Sequence, residues 1–467
     1  MLSAIENTLF FSRDLEIMWA SLKPNIPILC IDNFYDYNLD FLNRCETLVE
    51  TRDFFKNSCS RFMWYGGWPK LVISRQGTVL RDYFRNYFGF SEELITIPAN
   101  VSGSTVEGII QSQTVIEKII EFIGSQKKLQ VISWGGTWEI WELADFLETQ
   151  FSVLVHLPET AIKENLWIQR YLDTKLGFRT VASSIFNRDE DVIPEGYICL
   201  NIDEMYSAVD WFRNQEKGCI IKPNKGLLGK GIIAVDNKSS DEAENLKVIF
   251  DNFRNLFSEE PIIVEERILS PSKSSPSIEY YIPPINEGNP KSTYLVKQYL
   301  HDDFCFLGNV ISKELEQEPW YALLMKNAYR LAERVQQLGY VGYMDIDCIV
   351  DEHQNPYFVE VNPRRTGGTH YHEMALRLFG EDYLEKISLI SNSHLHSYAF
   401  RTFEELFHGS SDLLYNPGDI ERGIIISEAN LLASHGIVSV ASIGRDIKEA
   451  AHYLSLFQER IGSKDTI

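Results

Sequence analysis

Two stretches, 343-YMDIDCIV-350 and 357-YFVEVNPRRTGGTH-370, set carboxylates and arginines at fixed intervals inside apolar runs. In an extended strand alternate side chains share a face, so Asp345 and Asp347 point one way, as do Glu360 and Asn362. The polar segment 351–355 has turn composition, so 343–350 and 356–361 read as a hairpin on which Asp347, Glu360 and Asn362 converge. Two carboxylates and an amide oxygen form a hard, oxygen-only donor set, suited to magnesium carrying nucleotide phosphates. Carboxylates inside apolar strands are costly to bury unpaired, which argues for a cation opposite them. The plainer alternative is a row of acids on a solvated sheet face. Arg364 and Arg365 follow directly, and guanidinium groups hold a terminal phosphate or a carboxylate bidentately.

Upstream lies 219-CIIKPNKGLLGKGII-233. A strand ends at Lys222, and a loop containing Gly226, Gly229 and Gly231 leads straight into another strand. Glycines let the backbone approach a bound group, so consecutive N–H donors can face phosphate oxygens. Lys222, Lys225 and Lys230 add cations to the same feature. It is not a Walker A loop, because no Lys-Ser/Thr follows and no helix begins there. A long hairpin with glycines at its turn is the alternative.

With the glycine-rich basic hairpin first and the paired acids second, the sequence resembles the ATP-grasp superfamily from about residue 158 to about residue 460. A third match is 262-IIVEERI-268, similar to the acidic hinge that meets adenine in that family. The resemblance implies that backbone groups around Glu266 and Ile268 face the adenine edge, that Glu265 lies close by, and that Glu279 is the candidate for the ribose. Lys222, Lys225, Gly226, Gly229, Lys230 and Gly231 would then bind phosphates, and Asp347, Glu360 and Asn362 would hold magnesium, or manganese in its place. Asp347 precedes Glu360 by thirteen residues, the spacing of D-alanine–D-alanine ligase-like members. Lys222, Arg364 and Arg365 are the candidate catalytic residues, Arg364 matching the arginine that stabilises the transferring phosphate. The run 362–370 and an amino-terminal α/β region of suitable length are most similar to pheganomycin-type peptide ligases with a pre-ATP-grasp domain.

One departure stands out. Family members place a lysine just after an Asp or Asn at the start of a small-lobe helix, whereas Asn165 is followed by Leu166 and Trp167. Nearby Lys163 is the candidate substitute.

The implied fold class is α/β: a pre-ATP-grasp domain over 1–157, then a two-lobed ATP-grasp fold with a small lobe over 158–267 and a large lobe over 268–467. The implied activity is ATP-dependent carboxylate–amine ligation through an acyl phosphate, with release of ADP and phosphate, in natural-product or modified-peptide biosynthesis. The expected partners are ATP, a small carboxylate (an amino acid or peptide) and an amine, and the family's common assembly is a homodimer. An ATP-grasp kinase, a carboxylate–thiol ligase and a non-catalytic nucleotide-binding regulator are the alternatives.

Around these motifs, apolar runs at 26–31, 71–74, 94–97 and 129–133 read as strands alternating with helical patterns at 105–123 and 137–149, an α/β layer with a parallel sheet. Further on, 159–176 reads as a helix, 178–183 as a strand, 204–215 as a helix, and 219–222 and 231–235 as strands. A helix at 241–256 leads to a strand at 261–266. Strands are expected at 278–282 and 293–300 between turn-rich loops 269–277 and 282–292, then a helix at 317–338. The tail from about 380 reads as a last helix–strand–helix lobe, with strands at 423–427 and 437–442 and a helix at 446–461.

Composition sets the remaining bounds. A net charge of −22 over 467 residues disfavours nucleic acid and anionic membranes as partners. Seven scattered cysteines without a CxxC pair suit reduced thiols and a cytoplasmic location. No run approaches the roughly 20 apolar residues of a membrane-spanning helix, and 1–24 lacks a signal-peptide core. His370 and His372 beside the acids favour substrate contact or structural bonding over zinc, because their neighbours are hard oxygens. His394 and His396 sit in a polar stretch without an evident partner. The aromatic runs 64–68 and 134–141 read as core packing, with a substrate pocket at a domain junction as the alternative.

Overall fold

The computed structural model describes residues 21–44, 49–67, 69–187, 190–226, 229–236, 257, 260–300, 306–417 and 422–464. Three sheets organise them. The first contains β1 (Ile28–Ile31), β2 (Lys70–Ser74), β3 (Glu93–Thr96), β4 (Lys128–Ser133) and β5 (Leu154–His156), all parallel, in the order β3-β2-β1-β4-β5. Strands buried on both faces read as unbroken apolar runs, which is why β1, β2 and β4 stand out in the sequence. Leu29, Ile31, Leu71 and Ile73 pack on one face with Ile116, Ile119, Ile140 and Leu143 of the flanking helices, while Cys30, Val72 and Ile132 join the core on the other. The expected helix at 105–123 is two helices, Thr105–Gln111 and Gln113–Ile123, broken at Ser112 in extended backbone; Ser104 and Glu107 form a capping box at the start.

The second sheet is antiparallel: β6 (Gly196–Cys199), β7 (Cys219–Pro223), β8 (Ile233–Val235) and β9 (Ile262–Glu266), ordered β6-β9-β7-β8. The helix Ile202–Asn214, capped by Asn201, lays Met205, Val209 and Phe212 on it. The helix expected at 241–256 lies outside the described residues.

The third sheet has eight strands: β10 (Pro276–Ile282), β11 (Lys291–Leu300), β12 (Phe306–Ile311), β13 (Gly342–Val350), β14 (Pro356–Asn362), β15 (Ser388–His396), β16 (Gly423–Glu428) and β17 (Ile437–Gly444), ordered β14-β13-β10-β11-β12-β15-β17-β16. The tail is therefore no separate lobe. β15 pairs antiparallel with β12, β17 with β15 and β16 with β17, extending the same sheet, and Ile424, Ile426, Val440 and Ile443 share a core with Phe84 and Phe88 of the amino-terminal region.

The region 178–183 is helical, not a strand. Thr174 caps the helix Lys175–Ser183 by accepting from the Gly177 N–H, and Phe178, Val181 and Ala182 fall on one helical face. That face packs with Ile168 and Leu172 against Ile278, Met344, Ile346 and Phe358 on the back of the third sheet. Tertiary burial thus overrides the strand preference of a Phe/Thr/Val-rich run. Among the described residues no helix is long and apolar enough to cross a membrane.

Candidate active site

Strand alternation builds the site. On β13, Met344, Ile346 and Cys348 face the core beneath the helix Tyr321–Gln337, which leaves Asp345 and Asp347 on the opposite face. The hairpin register sets Asp345 opposite Asn362 and Asp347 opposite Glu360, with a bulge just after Asp347. Asp347 accepts from Asn362 Nδ2 at 2.8 Å and from Gln298 Nε2. Ser277 on β10 donates to Asp345.

Three carboxylates on so small a patch repel one another. Burial, and then the charges of Asp345 and Glu360, push Asp347 up to about 8, and burial raises Asp345 as well. Glu360 differs: burial acts upward on it, but the Lys175 ammonium overrides this and holds it below the ordinary range. Lys175 Nζ lies 3.0 Å from Glu360 Oε1. An excess of buried negative charge on oxygen donors is the environment a hard divalent cation balances, so the donor set fits magnesium.

Lys175 was not among the residues expected from the sequence. It stands at the first turn of the helix Lys175–Ser183, immediately after Asp173-Thr174, where the backbone breaks from the preceding helix Leu166–Leu172. Lys163, the expected substitute, is turned away: it pairs with Asp145 at 2.5 Å near the surface and lies over the Trp141 ring. The Asp-Thr-Lys break was the available signal, hidden because 159–176 looks like one continuous helix.

The second sheet forms the facing wall of a cleft of about 1010 Å³, lined by Lys222, Gly226, Gly229, Lys230, Glu265, Glu266 and Ile268 on one side and Asp345, Asp347, Glu360, Asn362 and Arg364 on the other. Gly229 and Gly231, just before β8, adopt φ of +74° and +83°, which side chains rarely tolerate, so these two positions favour glycine. A Cβ on Gly226 would lie 3.2 Å from Lys175 Nζ. Lys222 and Arg179 both pair with buried Glu265 at the cleft floor, Arg179 at 3.0 Å. Lys225 instead points toward Asp40 at 3.8 Å, and Gly231 is not part of the cleft wall.

Two assignments are corrected. Glu279 is fully buried off the cleft: Thr293 Oγ1 lies 2.8 Å from one of its oxygens, Thr369 Oγ1 and the Tyr294 hydroxyl lie 2.5 and 3.4 Å from the other, and burial, then Asp345, push it up to about 8. It is not placed to meet a ribose. Arg365 is 1% exposed, bonded through Nε and Nη2 to Glu159 at 3.0 and 2.7 Å, ion-paired with Glu373, and sandwiched by Tyr65 and Tyr343 at 4.4 Å each. It ties the amino-terminal region to the third sheet instead of touching the cleft. Arg364, by contrast, lines the cleft, donates to Asn362 Oδ1 at 2.9 Å and lies 3.7 Å from Asp173.

The histidines also resolve. His372 is buried, bonded to the Tyr383 hydroxyl at 2.9 Å and pushed down by burial to about 3, and His370 is buried against Tyr371. His394 and His396 lie on β15, where Glu50 stands 3.0 Å from His394 at the cleft rim. Trp134 reaches the cleft, whereas Trp64 packs among Phe84, Phe88 and Phe90.

Residues 203–368 match a family model described as an ATP-grasp domain, a span that contains the glycine-rich hairpin, the hinge and the paired acids. Over that span the chain is similar to ATP-grasp domains. Solved structures share the fold over almost the whole chain. The N5-carboxyaminoimidazole synthetase from Staphylococcus aureus complexed with ADP matches at a TM-score of 0.55 and 12% identity, covering 94% of this chain and 98% of that one. The biotin carboxylase–β-γ-ATP complex from Campylobacter jejuni matches at 0.57 and 13%, covering 93% and 91%. The biotin carboxylase domain dimer of Hydrogenobacter thermophilus 2-oxoglutarate carboxylase, with MgADP, ADP and bicarbonate, matches at 0.50 and 11%, covering 93% and 89%. At such identities the likeness is one of fold: an amino-terminal parallel sheet followed by the ATP-grasp lobes. No curated protein matches the chain in sequence.

Proposed function

We propose that this ATP-grasp chain is an ADP-forming carboxylate–amine ligase that makes an amide or peptide bond through an acyl phosphate, of the pheganomycin-type peptide-ligase kind. The observation that carries the proposal is the convergence on one cleft of three acids, two lysines and an arginine from both lobes: Asp345, Asp347 and Glu360 with Lys175, Lys222 and Arg364. Nucleotide complexes of the similar folds support ATP as the phosphoryl donor.

Asp347, Glu360 and Asn362 would hold magnesium, which when bound neutralises phosphate charge and acts as a Lewis acid. Lys175 and Lys222 hold phosphate oxygens, and Glu266 and Ile268 frame the adenine on the β9 side. Arg364 keeps its guanidinium at the third-sheet wall, where negative charge builds as the substrate carboxylate attacks the terminal phosphorus. Gly226, Gly229 and Lys230 line the cleft on the phosphate side, where excluding water protects an acyl phosphate until the amine arrives. The amine then displaces phosphate. The test is nucleotide product analysis with magnesium, ATP and pooled amino acids, with and without hydroxylamine as an acyl trap. Carboxylate-dependent ADP and phosphate, with hydroxamate in the trapped reaction, are expected; AMP and pyrophosphate would reject the chemistry.

A further inference from the structure

The first sheet reverses its strand order between β1 and β4, and the crevice beyond the carboxyl ends of such strands is where open parallel sheets bind ligands. Here that crevice opens into the same cleft. Phe34 follows β1, Trp134 follows β4, and Phe54 comes from the helix Val49–Asn57; all three line the cleft. Among them lies Arg61, on the short helix Cys59–Met63. That helix is pinned by Glu428, which accepts from the Ser60 N–H at 3.0 Å and from the Ser60 hydroxyl at 2.9 Å.

Arg61 is 7% exposed and lines the cleft, yet its guanidinium makes no ion pair and no hydrogen bond among the described residues. Its carbon lies 4.3 Å from the Phe34 ring centroid, 5.4 Å from Trp134 and 5.7 Å from Phe54. Aromatic faces satisfy the flat faces of a guanidinium, but they offer nothing to its five edge N–H donors. Asp32 and Glu428 are near enough to feel the charge of this guanidinium but do not bond it, and the cleft is where an anionic ligand can reach its donors. Trp134 also stands beside Arg364, 5.9 Å from its guanidinium carbon, so one indole separates this position from the arginine at the phosphoryl-transfer centre.

We propose that Arg61 binds the spectator carboxylate of the amine substrate, which is therefore an α-amino acid or a peptide whose apolar side chain packs among Phe34, Phe54 and Trp134. The proposal rests on the ligase reading and deepens it. The carboxylate that is activated meets Arg364, and the one that is kept meets Arg61. The amine between them then faces the acyl phosphate. An amino acid, unlike a simple amine, supplies both the nucleophile and an anion that can bond the Arg61 guanidinium.

The test is equilibrium binding, without turnover, of L-phenylalanine, L-tryptophan and L-leucine against their primary amides, by calorimetry on the full chain. Each amide keeps the body and the amine but removes the negative charge. The acids are expected to bind at least about 10-fold tighter than their amides, as a charge-assisted bidentate contact gives. Arg61→Gln is expected to abolish the preference and Arg61→Lys to keep part of it, with a fluorescent ATP analogue binding all three proteins alike. No acid-over-amide preference in any pair, including no binding at all, overturns the proposal, as does a preference that survives in Arg61→Gln. Should Arg61→Gln fail to fold, the native protein and Arg61→Lys still decide it. Absence of this preference in the native protein, with ADP formation intact, would count against Arg61 alone, whereas absence of ADP formation would count against the ligase reading.

Discussion

Replacing Lys175 with Met is the perturbation for which the structure gives the clearest numbers. Lys175 is 5% exposed and its ammonium lies 3.0 Å from Glu360. At an effective dielectric of about 20, charges so close attract by about 5 kcal/mol before desolvation. The Glu360 side chain is 32% exposed, so water screens part of this and replaces part of what is lost. The net stability cost is therefore about 1–3 kcal/mol, a fall of a few degrees in Tm. The effect on turnover is larger, because a preorganised cation facing the phosphates acts where charge develops: about 100- to 1000-fold in kcat/KM for MgATP. Steady-state ADP release and thermal denaturation, run on Lys175→Met and Lys163→Met side by side, separate the two lysines. Lys163→Met is expected to behave as wild type, since that side chain pairs with Asp145 away from the cleft. Wild-type turnover in Lys175→Met, with loss in Lys163→Met, would refute the placement of the small-lobe lysine.

Glu360→Gln removes a charge from the donor set, and ADP formation is expected to drop about 100-fold or more with weaker magnesium dependence; unchanged magnesium titrations would contradict the metal assignment. Arg365→Met strands two buried carboxylates, Glu159 and Glu373, and is expected to cost about 3–5 kcal/mol, read as a lower Tm; a kcat defect at unchanged Tm would place Arg365 in the chemistry instead. Glu279, pushed up to about 8, holds a proton in the folded state that the unfolded chain gives up nearer its ordinary value of 4.5, so it makes stability fall as pH rises through that interval. Glu279→Gln cannot ionise and is expected to flatten the Tm–pH profile between those limits; an unchanged slope would contradict the buried, protonated state.

How much of this was legible in the sequence depended on the range of the interaction. Asp347, Glu360 and Asn362 could be placed together because strand periodicity and a five-residue turn fix them locally, and the register follows that arithmetic. The glycine-rich return was legible for the same reason: Gly229 and Gly231 announce backbone that only glycine takes up readily. Lys175 was missed because apolar spacing runs through 159–176 without interruption, while the break at Asp173-Thr174 depends on Thr174 capping the next helix. Arg364 and Arg365 are adjacent, and nothing local says which one faces the cleft. Glu159 and Glu373 decide it, by drawing Arg365 into a buried tie between regions distant in sequence. Glu279 was misassigned on the same account, its hydroxyl partners Thr293 and Thr369 arriving from another strand and from the helix Thr369–Phe379. Arg61 could not have been singled out, because its aromatic surroundings come from three separate segments.

The central claim, an acyl phosphate formed in this cleft, is tested most directly by isotope transfer. The carboxylate substrate found by the pooled assay would be labelled with oxygen-18 in its carboxyl group, and the products of one turnover analysed by mass spectrometry. Attack of the carboxylate on the terminal phosphorus, followed by displacement by the amine, leaves one carboxylate oxygen on the phosphate that departs. One labelled oxygen in inorganic phosphate, with none in the nucleotide, is the expected result. Label appearing in AMP, or phosphate formed without label, would contradict it.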